Sequence, residues 1–248
     1  MPVPPAAQTS FENSICAVIL AAGASSRMGG KKKEFLKLKE NDELTVLGSS
    51  VNVFISFPEI QTIIIVVCAG DEEAARNALP AILKKSEKKI EFVKGGSTRR
   101  ASVFNALSFL DQQNEDISYV LIHDGARPWL SKTLVANIIT TVKKYGAVIP
   151  LLPLTDTPKE CDAQFQTDAS DESKPVFIKT HLKRANTGIA QTPQGFKFKD
   201  ILYAHQKAAQ TEEDFTDDAE VWGKFCGQVA VIQGEQENKK ITFPEDLS

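Results

Sequence analysis

The 248-residue chain is poor in the residues that most often announce a site, with four cysteines, three histidines and two tryptophans. Cys16, Cys68, Cys161 and Cys226 are scattered, form no CxxC pair and have no histidine near them in sequence. That spacing argues against a disulfide framework or a zinc site and fits a reducing, cytoplasmic setting. Cys16 and Cys68 fall inside apolar runs, where a thiol packs as a small hydrophobe. Positive charge is not in surplus: 29 Lys and Arg against 32 Asp and Glu leave a net charge of −3, the wrong sign for non-specific nucleic-acid binding. No apolar run is as long as a membrane-crossing helix. The opening MPVPPAAQTSFENS has no cationic segment followed by an apolar one, so it does not read as a secretory signal. Residues 1–13 are expected to form a loose extension, and residues 14–248 a single domain. There is no internal repeat, no GxGxxG fingerprint and no GxxxxGK[ST] loop. The remainder is ordinary for a globular protein, 42% hydrophobic and 25% charged, and long enough to bury a full core.

The most informative stretch is residues 15–38, ICAVILAAGASSRMGGKKKEFLKL. Its apolar start has the length of a buried strand. The run breaks at Gly23-Ala24-Ser25-Ser26, where small side chains let backbone N–H groups approach a ligand. Arg27, Lys31, Lys32 and Lys33 follow, opposed only by Glu34. A strand feeding a small-residue loop lined with cations suits a polyphosphate, because amides cradle its oxygens and fixed charge offsets its own. The competing reading is an ordinary strand-to-helix turn with solvated lysines.

Downstream, residues 45–57 carry helical spacing that stops at Pro58, and TIIIVVC at 62–68 reads as a strand buried on both faces. Asp71 is placed to cap a helix running to about residue 85, with a kink or break at Pro80. A short strand is expected at 89–93, followed by the small-residue loop GGSTRR at 95–100 and a helix over 101–110. A further strand at 119–122 runs into His123-Asp124-Gly125-Ala126-Arg127-Pro128. A helix at 130–145 and a strand at 147–152 complete the regular part. Residues 153–175 are irregular and polar, so an arm or hairpin is expected at about 153–185, with 176–180 as its return strand. Helices at 199–210 and 216–225 and a strand at 229–233 close the pattern. Strands alternating with helices imply an α/β fold: a Rossmann-like, mostly parallel sheet flanked by helices, with a projecting β-arm. Three strands end in small, polar or charged residues, where open α/β sheets bind ligands.

LAAGASSRMG with Lys33 downstream resembles the signature of nucleotidyltransferases that move a nucleotidyl group from CTP or another NTP onto a phosphate. GGSTRRASV at 95–103, HDGARP at 123–128, DTPK at 156–159, RANTGIAQTPQGF at 184–196 and NKKITFPEDL at 238–247 follow in order. Together they resemble the 2-C-methyl-D-erythritol 4-phosphate cytidylyltransferase family over roughly residues 15–247. The resemblance implies transfer of CMP from CTP to methylerythritol phosphate with release of pyrophosphate, in isoprenoid precursor synthesis. Ribitol-phosphate cytidylyltransferases share much of the pattern and stay as the alternative, as does a nucleotide-binding module without catalysis.

By the same resemblance, Arg27 and Lys33 stabilise charge at the α-phosphate, and Ala21, Ala22, Gly23, Gly95, Gly96, Ser97 and Ser102 surround the nucleotide. Arg127, Thr157, Arg184, Thr192 and Lys240 contact the sugar phosphate, with Arg184 and Lys240 positioning it for attack. Asp124 either holds Mg²⁺ or caps a helix. Asp217 and Asp218 either assist near the metal or form a helix N-terminal acid pair. His123 is expected to pack or hydrogen-bond and not to act as a base, since the attacking phosphate oxygen is already anionic. The arm is implied to cross to a second subunit and build a homodimer. Three departures stand out. Lys32-Lys33-Glu34 replaces the usual Pro-Lys-Gln, which favours Lys33 as the catalytic lysine while Lys32 stays possible. Ser25 replaces a common glycine, tolerable if its φ stays negative. The sequence ends at Ser248, directly after PEDL, where the family usually has a closing helix, so the tail is expected to be either shortened or truncated.

Overall fold

The structure, a computed structural model, describes residues 13–25, 28–38, 44–84, 86–163 and 175–247. The expected extension over residues 1–13 therefore lies almost wholly outside the described residues, as does most of the polar part of the arm.

At the centre is β1 (Ile15–Ala21), parallel to β2 (Ile60–Val67) on one side and to β4 (Tyr119–Asp124) on the other. β3 (Lys89–Lys94) extends the parallel set beyond β2. Beyond β4 the sheet continues through β9 (Gln194–Lys197), β5 (Ala147–Pro153) and β10 (Ala230–Gln233), giving the order β10-β5-β9-β4-β1-β2-β3, with β8 (Gly188–Ala190) paired to β5. β9 runs antiparallel to both β4 and β5. The sheet is thus mostly parallel, as the pattern implies, and β8 and β9 are additions the sequence did not announce. Gln194-Gly195-Phe196-Lys197 is too short and too mixed to show a strand period. It is made a strand by its neighbours.

Two hydrophobic layers cover the sheet. Ile15, Ala17, Ile19 and Ala21 face one layer, built with α1 (Val46–Asn52), α2 (Glu72–Ala78) and α5 (Lys132–Tyr145). Cys16 and Val18 face the other, built with α4 (Arg99–Gln112), α6 (Phe198–Ala208) and α7 (Asp218–Phe225). This alternation is the period-2 geometry of a strand buried on both faces. α5 shows the local logic clearly: the Ser131 side chain accepts from the Leu134 N–H, Leu134, Ile138 and Val142 are buried at i, i+4 and i+8, and Gly146 ends the helix at φ 83°.

One local expectation needs correction. Asp71 precedes α2 but makes no side-chain cap bond; it lies 3.1 Å from Lys32 instead. Pro80 does break the helix, leaving α2 and a short α3 (Ala81–Lys84). The expected arm contains a separate two-stranded antiparallel sheet, β6 (Lys159–Cys161) with β7 (Ile178–His181), apart from the main sheet. No helix among the described residues is long and apolar enough to cross a membrane.

Candidate active site

Because β1, β3 and β4 are parallel, their carboxyl ends lie on one edge of the sheet, and the loops that follow them form a cleft of about 410 Å³. Ala22, Gly23, Ala24 and Ser25 line it from the first loop, Gly96, Ser97, Thr98, Arg99 and Ser102 from the second, and Asp124 and Ala126 from the third. Lys33, Glu34, Lys240 and Thr242 complete it.

The second loop is fixed by its own helix. Thr98 caps α4 by accepting from Ala101 N–H at 3.0 Å, and the Ser102 hydroxyl accepts from Gly96 N–H at 3.1 Å while donating to Thr98 O at 2.9 Å. Gly95 N–H donates to Val67 O at 2.8 Å. A Cβ at Gly95 would come within 2.5 Å of Ala22 Cβ, so this glycine is where the first and second loops touch.

Asp124 is the electrostatic centre. Its Oδ2 lies 2.8 Å from Lys240 Nζ and 3.6 Å from Arg127 Nε, and its Oδ1 lies 3.7 Å from Arg99 Nε. Burial would raise its pKa, but Lys240, Arg99 and Arg127 together hold the carboxyl well below the usual carboxylate range. It is therefore ionised near pH 7. Arg99 bridges onward to Asp218 at 2.8 Å, and Asp218 in turn meets buried His205 at 3.1 Å.

Beneath the cleft, His123 is fully buried, with Nδ1 3.0 Å from the Thr192 hydroxyl and Nε2 3.2 Å from Arg127 O, and Phe54 packs edge-on against its ring. Burial pushes the imidazole pKa down to about 4, so it is neutral near pH 7. The Thr192 hydroxyl also accepts from Asp124 N–H at 3.1 Å. Asn238 donates to Thr192 O at 2.8 Å, Arg127 Nη1 donates to Asn238 O at 2.7 Å, and Ile241 N–H donates to Ala126 O at 2.9 Å. These bonds hold residues 238–241, and with them Lys240, against the third loop without any strand pairing.

Sequence comparison decides the family. The family profile described as 2-C-methyl-D-erythritol 4-phosphate cytidylyltransferase (IspD) matches residues 15–248. The chain belongs to this family. Among its relatives is the enzyme of that name from Bacillus thuringiensis (strain Al Hakam), 34% identical over 233 residues, covering 93% of each chain. Another is the bifunctional enzyme IspD/IspF of Bartonella tribocorum, 36% identical over 235 residues, 94% of this chain and 54% of that one. A solved 4-diphosphocytidyl-2C-methyl-D-erythritol synthase from Anaerococcus prevotii superposes with a TM-score of 0.74 at 31% identity, covering 95% of this chain and 93% of that one.

Within this member of the cytidylyltransferase family, the residues expected at the site divide into three groups. Ala22, Gly23, Gly96, Ser97, Ser102, Asp124, Lys33 and Lys240 line the cleft; Gly95 shapes it from behind, and Ala21 is 1% exposed beneath it. Arg127 and Thr192, expected to contact the sugar phosphate, are not on its surface. Thr192 spends its hydroxyl on His123 and Asp124, and Arg127 is committed to Asp124 and Asn238, so both position the wall. Arg184 and Thr157 are elsewhere in this chain: Arg184 Nη1 donates to Thr155 O at 2.7 Å, and Arg184 lines a separate depression with Leu151–Leu154 neighbours and Val231. Arg27 lies outside the described residues.

The two lysines are separated clearly. Lys32 Nζ donates to Gly23 O at 3.1 Å and to Cys68 Sγ at 3.0 Å and lies 3.1 Å from Asp71, so it braces the first loop from outside. Lys33 lines the cleft. Asp124 is not a helix cap, because Ser131 caps the following helix. Asp217 caps α7 and Asp218 is buried against Arg99 and His205, so neither acid lines the cleft. Ser25 takes a positive φ of 49°, contrary to the expectation of a negative one; its hydroxyl lies 3.3 Å from Glu34 Oε2, which helps hold that left-handed turn.

Sequence reading missed Arg99 and Glu34. The sequence pattern places Arg99 in a loop before a helix over 101–110, but Thr98 is the cap and α4 starts at Arg99, two residues earlier; the signal is a threonine three residues ahead of Ala101. In sequence, Glu34 reads only as a counter-charge among lysines.

Proposed function

We propose that the cleft transfers a cytidylyl group from CTP to 2-C-methyl-D-erythritol 4-phosphate, releasing pyrophosphate. The observation that carries this reading is the convergence of Lys33, Lys240 and the two small-residue loops on a cleft that also holds the ionised carboxylate of Asp124. The loop amides and Lys33 receive the triphosphate. Gly96, Ser97 and Ser102 give the base and ribose a wall of backbone groups and small side chains. Lys240, held 2.8 Å from Asp124, attracts the phosphate of the acceptor and fixes it for attack. The acceptor's phosphate oxygen attacks the α-phosphorus in line: the new P–O bond forms as the bond to the β-phosphate oxygen breaks. No proton has to move, which agrees with a neutral, buried His123. Catalysis is then positioning plus stabilisation of charge that spreads over the equatorial oxygens. Lys33 and Arg27 are assigned that stabilisation.

Among the described residues, no group of three or more His, Cys, Asp and Glu is gathered to cage a metal. A Mg²⁺ ion is nevertheless compatible with Asp124, since magnesium binds through one or two carboxylates plus substrate phosphates. Asp124 Oδ1 supports this assignment, because its cation partner Arg99 stands at 3.7 Å, beyond hydrogen-bond reach. Bound there, the ion would neutralise phosphate charge.

We assign Arg184 and Thr157 to the acceptor phosphate of a second copy of the chain in a homodimer. In support, neither lines the cleft of its own chain, and the segment bearing β7 exposes Phe177, Ile178 and Leu182, apolar area that a partner would cover. The deciding assay is pyrophosphate release with CTP, Mg²⁺ and methylerythritol phosphate, and separately ribitol phosphate. Release with methylerythritol phosphate is expected; release with ribitol phosphate alone, or with neither, refutes the assignment.

A further inference from the structure

The cleft contains a carboxyl group that the reaction above does not use. Glu34 sits in the short 3-10 turn Lys33–Phe35 and is 3% exposed, yet it lines the cleft beside Ala22, Gly23, Ala24 and Ser25. Its Oε2 is 3.3 Å from the Ser25 hydroxyl, and its Oε1 lies where a Cβ on Gly23 would meet it at 3.8 Å. The carboxyl therefore stands against the very loop whose amides would receive phosphate.

The charges around it are mixed. Lys33 is on the same turn, and Lys32 precedes it but is engaged by Asp71 and Cys68. Of the helices packed on this turn, α1 has no charged side chain, while α2 carries Glu72, Glu73 and Arg76. Arg99, Asp124 and Lys240 share the cleft, with Asp124 Oδ2 paired to Lys240. Burial raises the Glu34 pKa; its own backbone N–H, Lys33, the Ser25 hydroxyl and Lys32 pull it down, and burial prevails. A triphosphate brings about four more negative charges into this partly desolvated space, where an ionised neighbour repels it strongly. A neutral carboxyl is instead a donor.

We propose that Glu34 binds the phosphates of the nucleotide in its neutral form, its O–H donating to a phosphate oxygen, so that each nucleotide enters with one proton taken up from solvent. The other carboxyl oxygen keeps the Ser25 hydroxyl and with it the loop. This rests on reading the cleft as a nucleotide site, and Glu34 is then a nucleotide ligand whose charge state sets affinity.

Calorimetric titration of the full chain with CTP and Mg²⁺, in paired buffers of equal pH and unlike ionisation enthalpy, tests it. Wild type should take up more protons than Glu34→Gln, by a difference approaching one per site. Raising the pH from 6 to 8 should weaken CTP for wild type relative to Glu34→Gln, by up to about tenfold per pH unit. Equal proton uptake in the two proteins overturns the proposal, and so does a folded Glu34→Gln that binds CTP more weakly than wild type throughout. If Glu34→Gln does not fold, carboxyl-carbon NMR of labelled glutamate in wild type replaces it: a shift to the protonated value on adding CTP supports the proposal, and an unmoved resonance refutes it. CTP that binds without the extra proton removes this inference alone. No binding of CTP at all removes the nucleotide reading with it.

Discussion

Substitution of Gly95 by alanine probes the contact between the two nucleotide loops. The backbone there does not take a positive φ, so alanine is conformationally allowed, and the obstacle is space. The added Cβ would sit 2.5 Å from Ala22 Cβ, 3.1 Å from Ser102 Oγ and 3.4 Å from Val67 O. Carbon atoms rest at about 3.5–4.0 Å, so Ala22 must retreat by about 1 Å. It has little room, because β1 pairs with β2 and β4 right up to this loop. Overpacking of this kind costs about 1–3 kcal/mol, which in a chain of this size lowers Tm by about 2–12 °C. The strain falls on the loops, so CTP affinity should drop about tenfold or more even in the folded fraction. Removing the opposing methyl should undo part of this. Ala22→Gly/Gly95→Ala should recover most of the lost CTP affinity, with a coupling energy of about 1 kcal/mol or more in the double-mutant cycle. Recovery will be incomplete, because Ser102 Oγ is held by Gly96 N–H and Thr98 O. Thermal melts and CTP titrations of the four proteins provide the measurement. The reasoning fails if Gly95→Ala matches wild type in both, or if the double variant is as impaired as the single one.

Lys33→Ala should lower kcat about a hundredfold or more with a smaller change in CTP affinity, whereas Lys32→Ala, which frees Gly23 O, Cys68 and Asp71, should chiefly lower Tm; steady-state kinetics and melts showing the reverse would exchange their roles. Asp124→Asn should raise the Mg²⁺ concentration needed for turnover, and an unchanged metal titration would leave Asp124 only as the counter-charge of Lys240, Arg99 and Arg127. Mixing inactive Arg184→Ala with inactive Lys33→Ala chains should restore part of the activity if a site is shared between subunits; exchange of subunits without recovery would confine Arg184 to its own chain. His123, whose pKa falls from 6.5 to about 4 on folding, leaves the unfolded chain holding more protons between those values. Stability should therefore fall as pH drops from about 6.5 to 4, by about 3 kcal/mol from this group, and denaturant melts of His123→Asn should show a flatter profile over that window.

Local chemistry was enough to place much of the framework. Short continuous apolar runs bounded by turn residues read as strands covered on both faces, and Ile15–Ala21 and Ile60–Val67 are such strands. Pro80 breaks its helix because proline removes an N–H and clashes with the preceding turn. The small-residue loops at the strand ends were equally legible, since a parallel sheet leaves its carboxyl ends on one edge. The motif order was enough to imply the family, which rests on residue types and not on coordinates.

What sequence could not decide were the partners of side chains from distant segments. Residues 32 and 33 are both lysines, and only the way the turn packs sends one to Asp71 and the other into the cleft. Arg127 and Thr192 carry groups suited to a phosphate, yet their bonds to Asn238, His123 and Asp124 turn them inward. Gln194–Lys197 became an antiparallel strand because a gap between β4 and β5 offered unpaired backbone. Glu34 looked like one acid in a run of lysines. Its burial beside the first loop, a property of the packed chain and not of its neighbours in sequence, is what makes its proton matter.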